Sequence, residues 1–97
     1  MIGHLEGVTR AIREGSAIIS TGGVGYKVAL TRIAVASLTL GKTASFWTYL
    51  AVREDVLDLY GFETEEELRF FELLLTVPGV GPKSALAILD IATVETL

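Results

Sequence analysis

The spacing of apolar residues in this chain changes once, near residue 62, and no other feature constrains the fold as strongly. Before that point, apolar residues run in short stretches cut by glycine, which is the pattern of β-strands. After it they recur every three or four positions, which is the pattern of helices. Two patterns in separate blocks of a 97-residue chain predict a small β unit followed by a helical one.

In the first block, Ile2–Val8 and Ser16–Thr21 read as strands, with Glu14-Gly15 as a turn signal between them. Gly22-Gly23 makes a tight turn into Val24–Leu30, because glycine accepts a positive φ without steric penalty. Thr31–Leu38 is ambiguous and fits a short helix, while Thr43–Val52 and Val56–Phe62 are β-rich. Five or six short strands in so few residues point to a closed barrel, since closure removes exposed sheet edges. The OB-fold is the commonest architecture at that size. The expected fold class is therefore mainly β plus α, with an OB-type barrel over residues 1–62 and a helical part over 63–97.

The second block opens on Thr64-Glu65-Glu66-Glu67, a capping box whose threonine and third glutamate satisfy free amides at a helix start. Leu68, Phe71 and Leu75 then share a face, and Phe70, Leu73 and Leu74 carry apolar surface round most of the circumference. Such a helix is expected to be buried on more than one side. Val77-Pro78-Gly79-Val80-Gly81 breaks it, and Pro82 suits the first turn of a second helix, Pro82–Ile91. Thr93 reads as the cap of a third helix, and a cap four residues from the last residue reads as a cut chain. With 51% of residues hydrophobic, a chain this short cannot hide all its apolar surface, so a subunit interface is expected.

Composition removes several classes of function. Residues 1–62 carry six basic against five acidic groups, and residues 63–97 carry two against seven, giving +1 and −5. An acidic body argues against non-specific coating of nucleic acid, so any DNA contact must come from a few placed donors. With no cysteine and one histidine, neither a disulfide nor an ordinary structural zinc site is expected. No apolar run approaches the ~18 residues of a spanning helix, and the N-terminus lacks a signal-peptide pattern, so no membrane partner and a cytoplasmic location are expected. Gly41-Lys42-Thr43 resembles the end of a phosphate-binding loop, but Ala36 stands where that motif needs glycine. Gly79-Val80-Gly81 begins like a dinucleotide fingerprint, but Ser84 occupies the sixth position and a helix precedes it. His4 has no motif-spaced Ser or Cys partner and reads as a strand residue. No catalytic residue, metal site or cofactor is expected.

Two features carry chemistry. The first is helix, Val77–Lys83, helix: a helix-hairpin-helix arrangement. Gly79 and Gly81 would let the turn approach a phosphate closely, with Val80 between them, and Lys83 would add a charge one turn into the helix. A plain helix–helix turn is the alternative. The second is Arg53-Glu54-Asp55, at the tip of a hairpin between Thr43–Val52 and Val56–Phe62. Glu54 and Asp55 are either a solvated turn, part of an incomplete metal cage, or a device that repels phosphates attracted by the glycine turn.

Five blocks in register carry a family resemblance: Met1-Ile2-Gly3, Gly22-Gly23-Val24-Gly25-Tyr26, Val52-Arg53-Glu54-Asp55, Leu59-Tyr60-Gly61-Phe62, and Gly79 through Leu89 with Pro82-Lys83. Across all 97 residues the chain resembles the N-terminal part of the RuvA family, bacterial subunits that recognise Holliday junctions. The resemblance implies an OB-fold, then two helix-hairpin-helix motifs, assembled as a four-fold homotetramer that holds four-way junction DNA open. It implies phosphate contacts at Gly79, Gly81 and Lys83, and an acidic pin at Glu54 and Asp55 that helps part the strands. It also implies partnership with the hexameric ATPase RuvB, where ATP hydrolysis resides, and work beside the RuvC resolvase. The family's second hairpin and RuvB-binding domain lie beyond residue 97, and Pro78 stands where relatives often have a polar residue. An assembly module with no DNA role is the competing reading.

Overall fold

The computed structural model describes residues 2–95. Its strands are β1 (His4–Arg13), β2 (Ser16–Thr21), β3 (Val24–Ala29), β4 (Thr43–Val52) and β5 (Leu57–Phe62). Helix α1 (Arg32–Ala36) lies between β3 and β4, and α2 (Glu65–Leu75) and α3 (Pro82–Glu95) follow the strands. The strands close in the order β1-β2-β3-β5-β4. All neighbours are antiparallel except β3 and β5, which run parallel through Val28↔Leu59 and Ala29↔Tyr60. A five-stranded barrel closed by one parallel pair, with a helix between β3 and β4, is an OB-type barrel.

Local chemistry explains the corners. Gly22 and Gly23 have φ of +59° and +84°, the pair of left-handed residues that a two-residue turn matched to strand twist requires. β1 is longer than the Ile2–Val8 predicted from sequence, because polar Arg10 and Arg13 hid residues 9–13. Those residues pair with β2 down to Arg13↔Ser16, past an irregularity between Thr9 and Ala11.

The barrel core holds Leu5, Ile19, Val28, Leu30 and Phe46, with Leu59 from β5. β5 is buried on both faces. Leu59 points into the barrel, while Tyr60 and Phe62 join Phe71 of α2 and Ala85 and Leu89 of α3 in a second cluster. Phe71 is fully buried, its ring 4.8 Å from that of Phe62 and 5.4 Å from those of Tyr49 and Tyr60. One aromatic side chain thus seats the helical part on the barrel wall.

The capping box is present: Thr64 Oγ1 accepts the Glu67 amide at 3.2 Å and Glu67 Oε1 accepts the Thr64 amide at 3.3 Å. Within this chain α2 is not covered on several sides as expected, since Phe71 is its buried residue and Phe70 and Leu73 are exposed. α3 runs to Glu95 without a break, so Thr93 lies inside a helix and caps no new one. Its apolar spacing continues past Ile91, and no glycine or proline stops it there.

α3 is tied to the barrel end by Asp90. Its Oδ1 accepts the amide of Arg32 at 2.7 Å and its Oδ2 accepts Nε of the same residue at 2.9 Å. Arg32 is the first residue of α1, whose amide has no acceptor within its own helix.

Candidate nucleic-acid interface

The turn between α2 and α3 is built from its sequence in small steps. Thr76 ends α2, and the amides of Val77 and Val80 bond to the carbonyls of Leu74 and Val77 at 3.1 Å each. Gly79 then takes φ +87°, a conformation that side-chain-bearing residues rarely adopt. Gly81 stands just before α3, and its carbonyl accepts the Ala85 amide at 2.9 Å. The two glycines therefore have different jobs. Gly79 is required by the backbone, whereas Gly81 has ordinary φ and leaves clearance.

The amides of Gly79, Gly81 and Lys83 have no acceptor among the described residues. They sit at a helix start, where the dipole favours an anion. Val80 differs from its neighbours: its amide is already bonded and its half-buried side chain packs on the second core cluster. It holds the turn down. Lys83 is exposed one residue into α3, and Pro78 is exposed on the turn.

Glu54 and Asp55 form the tip of the β4–β5 hairpin, closed by the Arg53 amide donating to the Val56 carbonyl at 2.9 Å. Both carboxylates are exposed. Exposed Val52, Val56 and Leu57 flank them, so the tip projects on an apolar stem. Among the described residues no three His, Cys, Asp or Glu side chains gather as a metal cage.

Arg53 joins the two features. A Cβ built on Gly81 would lie 3.6 Å from a terminal guanidinium nitrogen of Arg53, so the base of the acidic tip leans against the glycine turn. The sequence singled out Arg53 only as part of the tip; the signal available was a lone cation beside two carboxylates. A groove of about 380 Å³ lies between the barrel and α3, lined by Lys27, Asp58, Tyr60, Lys83 and Leu86 among others. Burial, and then the negative charge of Asp58, push the Tyr60 phenol above its ordinary pKa of 10.0, with Arg53 opposing. His4 takes no part. It packs edge-on against Trp47, its cross-strand partner, with ring centroids 4.9 Å apart.

This surface offers free amides, a lysine and an arginine beside a projecting pair of carboxylates. It can attract phosphates on one side and repel them on the other. The family described as RuvA N terminal domain matches residues 1–61. The chain belongs to the RuvA family. A second match, described as a SAM-like helix-hairpin-helix tandem, covers residues 71–97. Among curated RuvA relatives named Holliday junction branch migration complex subunit RuvA, that of Deinococcus radiodurans is 46% identical over 97 residues, all of this chain and 48% of its own length. The relative of Roseiflexus sp. is 43% identical over 98 residues, half its length. That of Halothermothrix orenii is 47% identical over 90 residues, 93% of this chain and 46% of its own. The chain thus spans about half the length of the curated RuvA relatives it matches. Those relatives are bacterial, and among the described residues no helix is long and apolar enough to cross a membrane.

Proposed function

We propose that this chain is a DNA-binding element that recognises four-way junctions and holds them open for branch migration in recombination and repair. The observation that carries the reading is the nearness of Arg53 to Gly81, where an added Cβ would meet the guanidinium at 3.6 Å, so that a repelling acidic tip stands beside an attracting glycine turn. Gly79, Gly81 and Lys83 receive a backbone phosphate, with Val80 holding the turn in place. Glu54 and Asp55 act as a pin that turns duplex away from the centre. Residues 1–62 and 63–97 serve as two domains, the first carrying the pin and the second the phosphate turn.

The role is not enzymatic: the chain binds, and a RuvB-type ATPase supplies the motor while a RuvC-type resolvase works on the same junction. Exposed Phe70, Leu73 and Val77 on and after α2 are the surface through which copies join in a homotetramer, bringing four tips to one axis. The relatives' name, which places them in a branch migration complex, supports this reading.

A gel shift with four-way junction and linear duplex of equal length, at one salt concentration, tests it. Preference for the junction is expected, and equal affinity for both, or none for either, overturns the reading in favour of an assembly module.

A further inference from the structure

Lys83 and Leu86 of α3 form one wall of the groove between barrel and α3. The opposite wall carries a cation that no motif marks. Lys27 lies in β3 next to Val28, and strand alternation turns Val28 into the core and Lys27 outward. Lys27 and Lys83 line the same groove from two different parts of the fold. Neither is ion-paired among the described residues, where the pairs are Arg32–Asp90 and Arg69–Glu65. In a chain with twelve acidic and eight basic groups, two unpaired lysines facing one cleft repel each other until an anion lies between them.

A second observation points the same way. Tyr60 also lines the groove, and its hydroxyl, which solvent reaches, makes no hydrogen bond to another described residue. The phenol keeps its proton at neutral pH, so it is a donor that an entering group can meet in place of water. A phosphate oxygen is such an acceptor. Asp58 lines the groove as well and opposes an anion there, which gives the site a built-in control.

We infer that Lys27 of the barrel and Lys83 of α3 grip one phosphodiester of the DNA backbone between them, with the Tyr60 hydroxyl as a third donor. This rests on the DNA-binding reading above and adds to it. The barrel wall becomes part of the phosphate path, and the strand leaving the glycine turn runs along the groove rather than away from it.

The test is junction binding by the full-length protein as its gene encodes it, titrated at several salt concentrations, for the parent and for Lys27→Gln, Lys83→Gln, the double variant and Asp58→Asn. Lys27→Gln is expected to weaken binding about fivefold and to flatten the salt dependence by less than about one unit, because Lys83 stays on the same phosphate. Asp58→Asn is expected to tighten binding. The double variant should lose less than the product of the single losses, because both lysines serve one phosphate. Lys27 is exposed, so an unchanged melting temperature separates these effects from misfolding. If Lys83→Gln weakens binding while Lys27→Gln and Asp58→Asn match the parent, Lys27 is a solvated surface charge and the inference falls alone. If the parent binds no junction, the DNA-binding reading falls and takes the inference with it.

Discussion

At the scale of single residues, Gly81 shows how folding and binding can be separated. Its φ is ordinary, a Cβ there meets only an ordinary contact with Arg53, and it immediately precedes α3. Aspartate is a favoured residue at such a position, where its carboxylate bonds free amides and suits the helix dipole. Gly81→Asp should therefore leave the melting temperature equal or higher while weakening junction binding more than tenfold, by about 1.4 kcal/mol or more, because its charge occupies the phosphate's place. Thermal melts beside gel shifts check both halves. Tyr60 gives a second case. Its phenol holds its proton above the ordinary 10.0, so the unfolded chain ionises first as pH rises. Stability is therefore full below about pH 10 and falls as pH climbs through the raised value. Tyr60→Phe should flatten that alkaline loss in melts run from about pH 8 to 11. Sequence made Gly79, Gly81 and Lys83 legible because their chemistry is local. It could not show Arg53 against Gly81, nor Lys27 across from Lys83, because these pairings join residues that only the tertiary fold brings together.

At the scale of elements, the strands β2 and β4 and the start of α2 were legible from alternation, glycine pairs and the capping box. The ends of β1 and α3 were not. β1 continues through residues whose polarity faces solvent, and α3 continues because nothing in Ile91–Glu95 stops it. The attachment of α3 was also invisible, since Asp90 reaches back 58 positions to Arg32. Arg32 is largely exposed, at 68% of its side chain against 21% for Asp90, so the ion pair itself contributes little. The bond from Asp90 to the Arg32 amide is the larger part, because it serves a donor that α1 leaves orphaned. Asp90→Ala should lower stability by about 1 kcal/mol, the usual cost of losing such a cap, and Asp90→Asn by less, since its carbonyl oxygen can still accept the amide. Urea titrations of the three proteins order them.

At the scale of the whole molecule, the proposed function sets the tip and the turn in opposition, and four copies would place eight carboxylates about one axis. One carboxylate at ~5 Å repels one phosphate by about 0.8 kcal/mol in water, and by more where water is excluded. Glu54→Gln with Asp55→Asn should keep or raise total DNA affinity while narrowing the preference for junction over duplex. The ratio of the two dissociation constants at one salt concentration measures this, and an ordinary solvated turn would leave the ratio alone. The same architecture also has an order in time. β5 pairs with β3 and β4 to close the barrel, so a chain emerging from the ribosome cannot complete that ring before residue 62 is free. Until Phe71 follows, Tyr60 and Phe62 present bare aromatic surface on the outside of the newest strand. The nascent chain is therefore most prone to stick to its neighbours during those few residues of synthesis, and α2 ends that interval by covering the strand.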